Sequence, residues 1–276
     1  MKQSKRNNFS EDINSKLLDY YKNYYKATLG LPNWNELCQL RLNEEDIYCS
    51  AYIEKIKEWQ QLDFVDKNVL VVGSGTGGEL VNFYQEGANV YGVEPYDPAR
   101  EISQLKVAAL GFSEDNIKSC KAENIDFEDN FFDFVYCYTV IEHVEDVDKS
   151  IKEMIRVTKS NGLIFLHAPD YRQMYEGHYK LPLPMFLPIW MNKLILITLG
   201  RPAKFLDSIN KVNAKKIKKL LTQLPVVAME ISLQREKRSS NKTAVKFIFF
   251  IQDSIYRIFG ISMNQMWLVK KINNQN

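Results

Sequence analysis

The spacing of apolar positions changes along the chain, and each change marks an element. From Ser10 to about Ala27, apolar and aromatic residues recur at positions 17, 20, 21, 24 and 25, which form one stripe of a helix. Ser10, just ahead of Glu11 and Asp12, is its N-cap candidate. The run Leu29-Gly30-Leu31-Pro32-Asn33-Trp34 breaks the period as a loop, and helical patterns resume over 36–46 and 51–60. A different signal begins at Val69, where four consecutive apolar residues to Val72 predict a strand buried on both faces. Similar short runs follow at Val90–Val93, Ile117–Cys120, Phe134–Tyr138 and Leu163–His167. They alternate with helical stretches at Glu79–Gln85, Pro98–Leu110 and about Val147–Thr158, with Ser160-Asn161-Gly162 as a turn. Strands alternating with helices predict an α/β fold: a doubly wound, mostly parallel sheet. Val226–Leu233 is the sixth strand, and Gln265–Ile272 is a seventh, antiparallel one.

These elements divide the chain into a helical cap (1–64), a nucleotide-binding core (65–170), an insertion (171–212) and a segment that completes the sheet (213–276). The insertion is apolar and broken by prolines over 181–191. Lys193 interrupts it before 194–199 resumes, so it is too broken to span a bilayer. It reads as a lid over an apolar acceptor, as a helix packed on the body, or as a surface helix with Trp190 and Lys193 at lipid headgroup level. Residues 213–224 are amphipathic, with Ile217, Leu220, Leu221 and Leu224 on one face and Lys211, Lys215, Lys218 and Lys219 on another. Residues 242–259 predict a helix that is apolar over more than one packing face needs, which points to a membrane contact or a homodimer face.

Composition adds little for the core and more for the ends. Of 276 residues, 45% are hydrophobic and 25% charged, as in ordinary globular chains. Cysteines at 38, 49, 120 and 137 form no CxxC pair, so reduced thiols in a cytoplasm are expected. The opening MKQSKRNNFSED has no apolar run, so no signal peptide is expected. The net charge of +2 conceals a balance of −9 over residues 1–200 and +11 over 201–276. A basic end on an acidic body suggests an anionic partner: a membrane surface, a phosphorylated or lipid-linked substrate, or nucleic acid. No motif supports nucleic acid, and none is expected as a partner.

The chemistry lies after Val72, where Gly73, Gly75, Gly77 and Gly78 fall within six residues between a strand and a helix. A bare backbone there lets a ligand approach the N–H groups at the helix start. Glu94, 21 residues after Gly73 at the end of the second strand, is placed to accept hydrogen bonds from a ribose diol. Gly73-x-Gly75-x-x-Gly78 also satisfies the dinucleotide fingerprint, so the loop alone leaves a nicotinamide enzyme and an S-adenosylmethionine enzyme both open.

The next hundred residues carry AENIDFEDNFFD (122–133), IEHV (141–144) and KEMIRVTKSNG (152–162). In this order the motifs resemble class I S-adenosylmethionine-dependent methyltransferases, in the branch that includes quinone-biosynthesis enzymes. The likeness spans about 65–170. GLPNW, HAPDYRQMYEGHYKLPLP and FLDSIN extend it to an uncharacterised bacterial subgroup. The resemblance implies a Rossmann-like sheet and a bound S-adenosyl-L-methionine. Gly73, Ser74, Gly75 and Gly77 would meet its methionine and ribose part, and Glu94 its ribose. Ala122 and Glu123 would lie beside adenine, and Tyr138 near the methionine part. Lys121 departs from the pattern, because many relatives carry an acid before the Ala-Glu pair.

The implied reaction is methyl transfer to an oxygen of a small or lipid-linked acceptor, in the cytoplasm or peripherally on the inner face of a membrane. A NAD(P)-dependent oxidoreductase is the alternative, disfavoured by the AENIDF and IEHV segments. A non-catalytic, membrane-associated module is a third reading. A hydroxyl acceptor needs a base, and the three histidines, His143, His167 and His178, all follow the fourth and fifth strands. His178, oriented by Glu176 or Asp170, is the base candidate. His143 reads as a helix-start residue shaping the cofactor pocket, and His167 as a strand end with its ring in the core. No acid cluster is apparent at the end of the fourth strand, so no metal site is expected.

Overall fold

The computed structural model describes residues 9–231 and 264–272. Its centre is β1 (Asn68–Val72), whose side chains alternate between two cores. Val69 and Val71 pack with Leu80, Phe83 and Tyr136 on one face, and Leu70 and Val72 with Val135, Cys137 and Ile151 on the other. This two-sided burial is what an uninterrupted apolar run requires. Around β1 the strands β2 (Asn89–Val93), β3 (Ile117–Lys118), β4 (Phe132–Tyr138), β5 (Thr158–Pro169), β6 (Val226–Glu230) and β7 (Asn264–Lys271) form one seven-stranded sheet in the order β3-β2-β1-β4-β5-β7-β6. β1 to β5 pair in parallel, while β7 runs antiparallel to both β5 and β6. The doubly wound α/β architecture and the antiparallel last strand follow the sequence reading.

The helices are α1 (Glu11–Lys22), α2 (Trp34–Gln60), α3 (Gly78–Gln85), α4 (Asp97–Ala109), α5 (Val147–Val157), α6 (Ile189–Thr198) and α7 (Ala214–Leu221). Ser10 caps α1 as its position predicts, accepting from the Ile13 amide at 3.4 Å. Asp146 and Asn213 do the same for α5 and α7 at 3.0 Å each. Four local expectations change. The first helix continues past Lys22 as a wider π-helical segment, Asn23–Thr28. The two predicted helices over 36–60 are one, because no glycine or proline stands between Trp34 and Gln60. Ser160-Asn161-Gly162 lies within β5, where Asn161 takes φ 63° beside a register shift opposite Phe132 and Phe134, so these residues form a bulge. The third strand stops at Lys118.

Of the insertion, Phe205 and Ser208 line the pocket and α6 does not. In α6 only Asn192 and Leu196 are buried, and Trp190, Leu194 and Ile197 are 55–63% exposed. Lys193 pairs with Asp207. No helix among the described residues is long and apolar enough to cross a membrane. The apolar helix expected over 242–259 lies outside the described residues.

Candidate functional site

The chain leaves β1 at Gly73 (φ +65°), and the Gly73 and Ser74 amides donate to the Val93 carbonyl at 2.8 and 3.1 Å. This ties the loop to the end of β2. A side chain at Gly73 would stand 2.4 Å from Cγ2 of Val140. A Cβ at Gly75 (φ +52°) would meet nothing within 4 Å, because that face opens onto a cavity of about 740 Å³. The volume lies within the range of small-molecule and cofactor sites. The Ser74 hydroxyl oxygen is buried with no hydrogen-bond partner. Gly77 differs from its expectation. It is absent from the cavity wall, caps α3 at φ +89°, and packs where a Cβ would come within 3.0 Å of Ser103. Its backbone serves helix–helix packing.

Glu94 lines the cavity, and both its oxygens are engaged with backbone. Oε2 accepts from the Gly75 amide and Oε1 from the Tyr96 amide, each at 2.9 Å. Burial raises its pKa, and the two amides and the Arg100 charge partly oppose that rise. Each carboxylate oxygen has a further lone pair to offer a ligand. Ala122 and Glu123 also reach the wall, and Glu123 Oε1 accepts from the Glu145 amide at 2.6 Å and the Asp146 amide at 3.2 Å. Lys121 pairs with Glu145 at 2.6 Å. Tyr138 lines the cavity and stacks on His167, ring centres 4.2 Å apart and 20° from parallel. His167 is buried as expected, with both ring nitrogens unpartnered, and burial pushes its pKa down to about 3.

The tyrosine stripe contributes more than packing. Tyr20, Tyr21, Tyr24 and Tyr25 all reach the cavity, and the widened turn after Lys22 carries the last two. Burial, helped by the Glu94 charge, raises the Tyr20 pKa, so its phenol stays neutral. Behind them lies a cluster with no sequence signature. Glu45 of α2 accepts from Tyr21 Oη at 2.7 Å, from the Thr76 hydroxyl of the glycine loop, and from the Lys106 ammonium of α4. Only the folded crossing of three helices brings these residues together. Phe205 and Ser208 are the parts of the insertion that reach the cavity.

His143 also lines the cavity. Its Nε2 stands 3.3 Å from Nε2 of His178, and its Nδ1 is 3.4 Å from the Ser208 carbonyl. His178 Nδ1 contacts Glu176 Oε1 at 2.6 Å, so Glu176 is the orienting acid. Asp170 is engaged with Arg172 instead. Burial disfavours the His178 cation, but the Glu176 hydrogen bond and charge outweigh it and raise the pKa. Burial, with the His178 charge, lowers that of His143 to about 4. An acid does stand here, contrary to the sequence reading. Glu142, fully buried four residues past β4, places a carboxylate oxygen within 4.8 Å of both imidazoles. The signal was present in IEHV, but the partner histidine is 35 residues further on in the insertion.

Residues 70–166 match the family model described as a methyltransferase domain. The chain is 30% identical over 116 residues to a Caenorhabditis elegans sterol 4-C-methyltransferase, a match covering 40% of this chain and 35% of the relative. It is 29% identical over 106 residues to a Saccharophagus degradans ubiquinone biosynthesis O-methyltransferase, covering 38% of this chain and 45% of the relative. The chain thus spans less than half the length of these relatives. The fold is similar to that of a SAM dependent methyltransferase from Archaeoglobus fulgidus, with a TM-score of 0.50 at 16% identity over 83% of this chain and 97% of that one.

Proposed function

We propose, from the premise that residues 70–166 form a methyltransferase domain, that this protein transfers the methyl group of S-adenosylmethionine to a small acceptor. The observation that carries the reading is the Gly75–Glu94 contact. A loop amide donates to the acid that follows β2, at the rim of a cavity that a Cβ at Gly75 would enter. The residues fit the cofactor. Gly73, Ser74 and Gly75 offer close backbone approach. Glu94 offers lone pairs to the ribose diol. Ala122 and Glu123 flank the adenine, and Tyr138 the methionine part. Gly77 acts on the cofactor only through the helix start it shapes.

The bound cofactor supplies a methyl group on a sulfonium sulfur, already an active electrophile. The protein must align the acceptor with it and exclude water. Tyr20, Tyr24 and Phe205 form the apolar wall for that purpose. His143 and His178, backed by Glu176, are the acceptor-side groups. An Nε2 lone pair of this couple would take the proton that an acceptor hydroxyl sheds. The relatives include both C- and O-methyltransferases, and an oxygen acceptor is favoured here because the paired imidazoles suit an ionising group. The exposed apolar side chains of α6 support approach of a lipid-linked acceptor.

Calorimetric titration of S-adenosylmethionine and S-adenosylhomocysteine tests the reading. Micromolar binding of both is expected, and binding of NAD or NADP with neither nucleoside overturns it. A glycine pair adds a second check. Gly73→Ala is expected to lower the melting temperature, since its Cβ would collide with Val140. Gly75→Ala, free of any neighbour, is expected to leave folding nearly intact, at a backbone cost of about 1–2 kcal/mol, while weakening cofactor binding.

A further inference from the structure

We propose that Glu142, His143 and His178 form a binding site for one divalent first-row transition-metal ion. The inference rests on this cluster and not on the methyl-transfer reading.

The protonation pattern of the two imidazoles comes first. The Ser208 carbonyl has no hydrogen to donate, so the contact at His143 Nδ1 makes that nitrogen the N–H. Glu176 likewise accepts from His178 Nδ1 at 2.6 Å. In both neutral rings the lone pair is therefore on Nε2, and the two Nε2 atoms face each other at 3.3 Å. Two lone pairs at that separation repel unless a cation stands between them.

The buried carboxylate decides which cation. Glu142 is fully buried, and neither of its side-chain oxygens has a hydrogen-bond partner. Buried polar atoms without a partner are costly. A proton shared by the imidazoles would relieve their repulsion but leave both Glu142 oxygens without a partner. A metal ion within reach of all three groups, whose ligand atoms lie within 4.8 Å of one another, satisfies both needs. The spacing also agrees: two nitrogens about 2.0–2.1 Å from a tetrahedral zinc lie about 3.3 Å apart.

The surroundings are those of a metal centre. Glu176 stands behind His178 as the outer carboxylate that commonly fixes a ligating imidazole. The Glu142 carbonyl accepts from the Asn210 amide at 2.6 Å, and the Asn210 side chain donates to the Val144 carbonyl, which clamps the IEHV turn to the insertion. Two histidines and a carboxylate suit zinc or iron(II) and leave a coordination position open. His143 belongs to both the cluster and the main cavity wall, so the ion stands at the acceptor's side. With it bound, the imidazoles act on the acceptor through the ion and not as free bases.

The test uses the full chain, stripped with a chelator, and calorimetric titration with zinc, cobalt(II) and magnesium chlorides. One equivalent of zinc or cobalt, with magnesium far weaker, is expected. His178→Ala and the isosteric Glu142→Gln are each expected to weaken zinc at least 100-fold, and Glu176→Gln by about 10–100-fold. All three should still bind S-adenosylmethionine, so failure of the cofactor reading and failure of this one are separate results. Should His178→Ala lose its circular dichroism, Glu142→Gln decides alone. Wild-type protein that takes up no zinc or cobalt, or a folded Glu142→Gln variant that binds as tightly as wild type, overturns the proposal.

Discussion

Replacing Lys106 with methionine is expected to destabilise the protein by about 3–5 kcal/mol. The ammonium is 1% exposed and is paired with Glu45, itself 8% exposed. Methionine matches the volume and removes the charge, leaving the Glu45 carboxylate inside the protein without its ammonium, with Tyr21 and Thr76 among its donors. A loss of this size lowers the melting temperature by roughly 6–20 °C at the sensitivity usual for larger domains. The double variant Lys106→Met/Glu45→Gln, which removes both charges, is expected to recover most of it. Urea unfolding of the four proteins measures the cycle, and a single-variant loss below about 1 kcal/mol would show that the pair is not coupled as described. The damage should also reach the ligand loop, because Glu45 holds Thr76 in place.

Glu94→Ala is expected to weaken S-adenosylmethionine about 10–150-fold, the equivalent of a charged hydrogen bond worth about 1.5–3 kcal/mol. Two effects contribute. The ribose loses its acceptor, and the Gly75 and Tyr96 amides lose theirs. Glu94→Gln, which keeps an acceptor oxygen but no charge, should fall between. Burial raises the Glu94 pKa, so wild-type affinity should decline on acidification at a higher pH than an exposed glutamate would give, and that decline should vanish in Glu94→Ala. Titration calorimetry across the acid range reads both. An affinity unchanged in Glu94→Ala would remove this residue from the cofactor site.

What could be read from the chain and what could not divide by range. The central strands of the sheet were legible because β1, β4 and the second half of β5 are short apolar runs with two covered faces. The meeting of the glycine loop with Glu94 was legible because they follow consecutive strands and their spacing reports it. Local conformation misled where residue type admits two uses. Asn161 and Gly162 suit a bulge as well as a turn, and residues 47–50, left between the two expected helices, hold no glycine or proline to end one. Gly77 reads like a ligand glycine but is spent on packing against Ser103. The clusters built across elements were least legible. Glu45, Lys106 and Thr76 meet from two helices and the glycine loop, and His178 reaches Glu142 and His143 only through the path of the insertion. Pairings at such separations leave no periodicity behind.

The antiparallel β7 between β5 and β6 has a consequence for how the protein is made. β5 ends at Pro169, and the strand that covers its outer edge begins at Asn264, about 95 residues later. At about 5–20 residues per second, the ribosome leaves that edge uncovered for roughly 5–20 s after β5 emerges. Through that interval the nascent sheet shows a long, apolar, unpaired strand, the kind that templates aggregation. Nascent-chain folding therefore waits on translation of the final strand, and chains stalled before it are natural clients for chaperones.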